Sequence, residues 1–197
     1  MIVLAADTSL AILSVALIAD GSLIGAMALE GKGSRNEKLL PAIDWLLSEN
    51  AVDRSAIDLF AVTRGPGSFT GVRIGLATMQ GLAMALRKPV CAMSTHEAIA
   101  FGESGSVAIV DDAGRGEFYV STFEDGREVA APHLAASVPD GRVIRVAELM
   151  QQDSVALRCA RRAQDIEQRG EGERYRDVTP IYVRLAEAEV KLQAKNA

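Results

Sequence analysis

The stretch TRGPGSFTGVRIG, residues 63–75, places closely spaced glycines between two different patterns. The apolar run Ile57–Thr63 before it predicts a strand, and Thr70–Leu86 after it predicts a helix. At such a junction, glycines allow backbone N–H groups to point at an anion beside the positive end of the helix. They equally allow a tight turn that packs closely against the rest of the chain. Since the spacing matches neither the dinucleotide nor the P-loop fingerprint, both interpretations stay open.

Outward from this turn, apolar runs alternate with helical patterns. Ile2–Ala6 predicts a strand covered on both faces, and Asp20-Gly21 joins two further strands in a tight hairpin. The stretch Asn36–Glu49 carries an apolar stripe at helical spacing. Ser94 to Glu97 has the spacing of a capping box and predicts a short helix. The resulting order of strands and helices predicts an α/β fold with a mixed sheet.

The pattern weakens beyond about Ala130. The stretch Gln151–Asp177 is rich in charge and predicts a solvated helix followed by a linker. Val178–Val183 is short and apolar, which favours one more strand.

Composition excludes several classes of protein. The chain has 197 residues, 49% of them hydrophobic, which is typical of a globular protein. A net charge of −5 argues against binding nucleic acid without a partner. Cys91 and Cys159 fit no CxxC pattern, which favours reduced thiols in the cytoplasm. No apolar stretch reaches the roughly 20 residues of a membrane span.

The second predicted helix has two unusual faces. One is a ridge formed by Val72, Leu76, Met79, Ala83 and Leu86, with a spacing that suits helix pairing. The other is a strip of small residues formed by Gly71, Gly75, Thr78, Gly81 and Ala85. Because glycine in a helix costs up to about 1 kcal/mol relative to alanine, something is expected to approach this strip closely. That neighbour is either the chain's own sheet or a helix of another chain.

Groups suited to acid–base chemistry are few. Asp7 and Asp112 follow predicted strands, where carboxylates either cap turns or hold Mg²⁺ and phosphate. His96 and His133 are isolated and have no metal-ligand spacing. Trp45, the single tryptophan, projects from the polar side of the first helix, as an interface residue or under a loop.

Several motifs together resemble the bacterial TsaB (YeaZ) family. They are Asp7-Thr8-Ser9, Asn36–Pro41, Thr63–Gly75, Ser94–Ala98, Asp112–Tyr119 and Pro180–Arg184, and they occur in the family's order almost from end to end. The resemblance implies an actin-like, sugar-kinase-like ATPase fold (ribonuclease H-like) in two lobes. The second lobe is expected to be shortened, since the stretch after Ala130 is short for the family. The expected domains are residues 1–103 and 104–197.

The resemblance also implies a role. Members act in making N6-threonylcarbamoyladenosine at position 37 of tRNA, as the non-catalytic partner that binds and stabilises the transferase subunit TsaD. TsaD carries a metal-binding H-x-x-x-H pair, and Thr95 and Ile99 stand at the corresponding positions here. Further expectations are a complex with TsaE, tRNA contact only through the complex, a homodimer when alone, no membrane contact and a cytoplasmic location. No tightly bound cofactor is expected, although ATP or ADP at the complex interface fits the family.

Two sets of site residues follow. The predicted partner interface, on helices 36–50 and 70–86, comprises Leu39, Trp45, Val72, Gly75, Leu76, Thr78, Met79, Leu82 and Ala85. The candidate anion or nucleotide contacts are Asp7, Gly65, Gly67, Ser68, Gly71 and Asp112. The alternative function is an independent Mg-ATP-dependent kinase or hydrolase of the same fold, which would use this second set.

Overall fold

The computed structural model describes residues 1–30 and 35–184, which form two sheets with flanking helices. The strands of the first sheet are β1 (Ile2–Asp7), β2 (Leu13–Ala19), β3 (Ser22–Leu29), β4 (Leu59–Thr63) and β5 (Val90–Met93). The helices that follow them are α1 (Arg35–Glu49), α2 (Phe69–Leu86) and α3 (Thr95–Ala100). The second half contains β6 (Ser106–Gly114), β7 (Glu117–Glu124), β8 (Arg127–Ala135), β9 (Val143–Arg145), α4 (Val146–Leu149) and α5 (Val155–Gln168).

Strand β1 lies at the centre of the first sheet, whose order is β3-β2-β1-β4-β5. It pairs antiparallel with β2 and parallel with β4. Its side chains alternate between two cores: Leu4 and Ala6 pack under α1 and α2, whereas Val3 and Ala5 pack on the side of α3 and α5. Burial on both faces explains the uninterrupted apolar run in the sequence.

Helix α5 corrects the prediction of a solvated helix in residues 151–177. Its buried stripe is formed by Val155, Ala156, Cys159, Ala160, Ala163 and Ile166, and all of these except Val155 pack on the second face of the first sheet. Most of these side chains are small, so the helix lies close to the strands and needs few large hydrophobic residues. Arginine and acidic side chains occupy its outer side, and their number concealed the stripe.

The second sheet repeats the topology of the first in reduced form. Its order is β8-β7-β6-β9, with antiparallel pairs followed by one parallel pair, as in β3-β2-β1-β4. A helix joins β3 to β4 in the first sheet, whereas residues 136–142 join β8 to β9 without one. This duplicated arrangement is that of an actin-like, ribonuclease H-like α/β fold, so the predicted fold class with a shortened second lobe is confirmed.

The two lobes share a buried core at one end of β6. Leu10 and Ile99 from the first lobe pack there with Val107, Ile109 and Phe123 from the second. The predicted division between residues 103 and 104 falls between α3 and β6, but α5, assigned by sequence to the second domain, packs on the first sheet. The strand predicted at 178–183 is wrong, because these residues form no ladder and run as irregular backbone.

No helix within residues 1–30 and 35–184 combines the length and apolar character needed to cross a bilayer.

Candidate functional site

The glycine-rich turn packs directly on the end of β1. A Cβ atom added at Gly67 would lie closer than 3.0 Å to the carbonyl oxygen of Ser9, and one added at Gly71 would approach that of Thr8 as closely. Real Cβ atoms essentially never come so near to another heavy atom. Two hydrogen bonds fasten the contact: Ser68 N–H donates to Ser9 O at 2.7 Å, and Thr8 Oγ1 donates to Gly71 O at 2.6 Å.

The remaining groups of the turn are also engaged within the chain. A Cβ atom at Gly65 would lie 2.8 Å from the carbonyl oxygen of Ile181. Ser68 caps α2, since its Oγ accepts from the N–H of Gly71 at 3.2 Å. The space beside these glycines therefore holds carbonyl oxygens, which repel phosphate. This geometry favours the close-packing interpretation of Gly65, Gly67, Ser68 and Gly71 over the anion-binding one.

Asp7 lies fully buried at the carboxyl end of β1. Its Oδ1 accepts hydrogen bonds from the hydroxyl groups of Ser9, at 2.6 Å, and Thr63. Ser9 Oγ also lies 2.9 Å from Thr95 Oγ1, which extends the polar cluster to α3. Asp7 Oδ2 has no hydrogen-bond partner among the described residues. Burial raises the pKa of this carboxyl above its ordinary value, and the hydrogen bonds from Ser9 and Thr63 only partly offset that effect.

In the Asp111-Asp112 pair, the carboxylate whose pKa is raised in part by the charge of Asp7 is Asp111, whereas the sequence analysis selected Asp112. Asp112 is exposed, and its Oδ1 accepts from Gly114 N–H at 2.7 Å, so it caps the turn after β6. Asp112 thus serves the turn, and its contact with an anion or nucleotide stays a prediction. Burial raises the pKa of Asp111 to about 6, and repulsion from Asp112 and Asp7 adds to the shift. Alternation along β6 turns one residue of the Asp111-Asp112 pair outward, and the sequence does not show which.

Replacing Asp111 with asparagine should change how stability depends on pH. Because its folded pKa is raised from 3.8 to about 6, the native state binds more protons in this range, and stability falls as pH rises through it. As the pH rises from 4 to 7, the free energy of unfolding of Asp111→Asn should increase by about 2 kcal/mol relative to that of the wild type, after allowance for partial solvent screening. Urea unfolding at both pH values measures this. Parallel wild-type and Asp111→Asn curves would contradict this assignment.

The apolar ridge of α2 packs on the chain's own sheet. Leu39 of α1 and Val72, Leu76 and Met79 of α2 are all 5% exposed or less and belong to the core under β1 and β4. Gly75 faces Thr8, and a Cβ there would clash with its Oγ1. These five residues were wrongly predicted to contact a partner. The strip of small residues is divided: its first half touches the chain's own β1, and its second half does not.

The outer surface of the α1–α2 helix pair remains uncovered by the described residues. We define it as Leu40 and Trp45 of α1 with Ala77, Thr78, Gly81, Met84 and Ala85 of α2. Trp45 is 52% exposed and Met84 is 72% exposed. A Cβ added at Gly81 would meet nothing within 4 Å. Of the other predicted interface residues, Leu82 is half-buried against the core. Sequence reasoning missed Leu40 and Met84, and the available signal for Met84 was its helical spacing of seven residues from Ala77.

Comparison with known proteins identifies the family to which this architecture belongs. The family model described as TsaD, tRNA N6-adenosine threonylcarbamoyltransferase, matches residues 33–172, more than half of the chain. The crystal structure of YeaZ from Pseudomonas aeruginosa superimposes with a TM-score of 0.72 and 30% sequence identity, over 92% of this chain and 99% of that chain. The chain belongs to the TsaB (YeaZ) family.

Two curated TsaB relatives agree with this assignment. The tRNA threonylcarbamoyladenosine biosynthesis protein TsaB of Bacillus subtilis is 32% identical over 63% of this chain and 56% of its own length. TsaB of Escherichia coli is 34% identical over 63% of this chain and 55% of its own length. The matched region thus spans about half the length of these curated relatives.

Thr95 and Ile99, at the positions that correspond to the TsaD histidine pair, make structural contacts within this chain. Thr95 Oγ1 contacts Ser9, and Ile99 lies in the core shared by the lobes. Between them, His96 is fully buried with its Nδ1 2.7 Å from Ser121 Oγ of β7. Within the described ranges, no group of three His, Cys, Asp or Glu side chains is arranged to hold a metal ion.

Proposed function

We propose that this chain is the TsaB subunit for N6-threonylcarbamoyladenosine formation at position 37 of tRNA, a non-catalytic partner that binds and stabilises TsaD. Two curated TsaB relatives carry that biosynthetic role in their names, and the family model that matches is the transferase TsaD. The observation that carries the partner role is the uncovered outer surface of the α1–α2 helix pair.

This surface has the properties of a helix-docking site. Trp45, Leu40 and Met84 are large apolar side chains at 45–72% exposure, and aromatic and methionine side chains are enriched at protein interfaces. Ala77, Gly81 and Ala85 are small and follow one another at helical spacing, so the backbone of a partner helix can come close to α2. Glycine at position 81 costs up to about 1 kcal/mol relative to alanine in an isolated helix. No contact within the described chain accounts for that cost, whereas close approach of a partner helix does.

Replacing Ala85 with glutamate should weaken binding to TsaD roughly a hundredfold, because a charge would be buried in an apolar interface. Ala85 is exposed, so the fold should tolerate the change. Titration of the purified TsaD of the same organism, followed by calorimetry or analytical size exclusion, measures the effect. The matched control is Val129→Glu, which adds the same charge at a 63% exposed apolar position on β8. Unchanged affinity of Ala85→Glu, or equal loss in the control, would overturn the docking site.

The rest of the proposed assembly follows from the same role. TsaE joins the complex, tRNA is contacted only through it, and the free subunit self-associates through the surface that TsaD would occupy. The protein works in the cytoplasm. Because self-association and TsaD binding would use the same surface, the homodimer and the complex with TsaD compete. Ala85→Glu should therefore also shift the free subunit towards monomer in sedimentation experiments.

Nucleotide is proposed to bind at the complex interface rather than tightly to this subunit alone. Carbonyl oxygens of Thr8, Ser9 and Ile181 occupy the approaches to the glycine-rich turn, which is a poor environment for phosphate. Calorimetric titration of the isolated chain with Mg-ATP should therefore show weak or no binding. Tight binding with turnover that Asp7→Asn abolishes would instead establish the independent kinase or hydrolase.

A further inference from the structure

The segment 177–184 crosses from the first lobe to the second without joining either sheet. On the first lobe it is hydrogen-bonded to Arg64, the residue that follows β4: Ile181 N–H donates to the carbonyl oxygen of Arg64 at 2.7 Å. In return, Arg64 Nη1 donates to the carbonyl oxygen of Thr179 at 3.2 Å and to the carboxylate of Asp177 at 3.3 Å. The contact at Gly65 is tight enough that a side chain there would clash with Ile181 O.

Tyr182 fastens the same segment to the first turns of α2. Its ring stacks on Phe69 with centroids 4.8 Å apart and an interplanar angle of 29°. Arg73 Nε donates to the Tyr182 hydroxyl at 2.7 Å, and the Arg73 guanidinium lies 4.0 Å from the centroid of Phe69. The tyrosine is thus held by both an aromatic stack and a charge-assisted hydrogen bond.

Two residues further on, Arg184 reaches the second lobe. Its Nη1 donates to the carbonyl oxygen of Ala113 at 2.9 Å, and its Nη2 pairs with the carboxylate of Glu117. Both acceptors belong to the β6–β7 hairpin. The segment, the glycine-rich turn and this hairpin together enclose a cleft of about 210 Å³.

The Arg184 anchor lies far from the core that the two lobes share. That core contacts β6 at Val107 and Ile109, near its beginning, whereas Arg184 contacts Ala113, near its end. Val107 and Ala113 are six residues apart on a strand, which corresponds to roughly 20 Å. The lobes are therefore joined by buried packing at one end of β6 and by the 177–184 segment at the other.

We propose that residues 177–184 are an interlobe latch, with Tyr182 and Arg184 as its positioning residues on the first and second lobes. When closed, the latch lines one side of the 210 Å³ cleft and holds the β6–β7 hairpin near the glycine-rich turn. When Arg184 leaves the hairpin, the lobes stay joined through the core at Val107 and Ile109, and the cleft opens. This inference concerns the chain alone and does not depend on the proposed partner.

Hydrogen exchange of the full chain, read by mass spectrometry, tests the latch with one variant at each anchor. In Arg184→Ala, exchange of the Ile181 amide should accelerate roughly tenfold although that amide is bonded to the opposite lobe. In Tyr182→Ala, exchange of the hairpin 112–118 should accelerate to a similar degree although its hydrogen bond from Arg184 is unaltered. Arg184→Lys should restore part of the protection. The α5 segment 155–168 reports on global folding and should exchange as in the wild type.

The control is Arg161→Ala, which removes an exposed arginine from α5. It should leave exchange in both latch anchors unchanged. If each anchor variant accelerates exchange only within its own lobe, or neither does, the segment is ordinary surface packing and the latch is excluded.

Discussion

Replacing Gly71 with alanine is expected to lower the free energy of unfolding by at least roughly 3 kcal/mol, because the new methyl group overlaps the Thr8 carbonyl. The overlap cannot be relieved by a side-chain rotation, since the neighbouring atom belongs to the backbone of Thr8, the residue that follows β1. Helix α2 would have to move away from the strand, and the hydrogen bond from Thr8 Oγ1 to Gly71 O would lengthen with it. Urea unfolding followed by circular dichroism measures the loss.

Gly81→Ala in the same helix is the matched control. Its Cβ would meet nothing within 4 Å, so the substitution should stabilise the isolated chain by up to about 1 kcal/mol through helix propensity alone. Opposite signs for the same chemical change would show that α2 is packed on its own sheet at one end and uncovered at the other. Equal effects of the two substitutions would contradict this description of the helix.

The wild type is expected to lose about 3 kcal/mol of unfolding free energy through His96 when the pH falls from 7 to 4. Replacing His96 with glutamine should remove this loss. Complete burial lowers the pKa of His96 from 6.5 to about 3. The unfolded chain therefore binds more protons between these values, and stability is fully present above pH 6.5 and lost as pH falls towards 3. A glutamine side chain that keeps the hydrogen bond to Ser121 does not titrate, so the His96→Gln variant would carry no such loss.

The comparison between variant and wild type isolates this effect. Asp111 titrates in the same range with the opposite sign, so the wild-type profile alone contains both contributions. The difference in unfolding free energy between His96→Gln and wild type should rise in favour of the variant as pH falls from 7 to 4. A constant difference for His96→Gln across this range would show that His96 is not buried in its neutral form.

Local chemistry in the sequence predicted several elements correctly. Asp20 and Gly21 both adopt positive φ in the hairpin between β2 and β3, as an Asp-Gly turn requires. Ser94 caps α3, with its side chain accepting from Glu97 N–H at 2.9 Å. These features depend on residues within a few positions of each other, so no tertiary information is needed to place them.

Features that depend on distant contacts were not predictable in the same way. Helix α5 was interpreted as solvated because half of its buried stripe consists of alanine, whose burial depends on how closely the sheet approaches. The choice between Asp111 and Asp112 depended on strand register. The buried side of α2 was assigned to a partner because the spacing of its apolar ridge suits helix pairing and its glycines indicate a close neighbour, whether that neighbour belongs to this chain or to another.

By itself the sequence determined the α/β order, the duplicated two-lobe fold through its family resemblance, and the glycines that this fold needs. Only the tertiary structure decided what those glycines and helices contact. Periodicity along one chain identifies which side chains share a face, but it carries no information about which other surface lies opposite. Beside Gly71 and Gly75 that surface is Thr8, at the end of β1, while Gly81 has none within the described chain, and this difference separates the core from the proposed docking site.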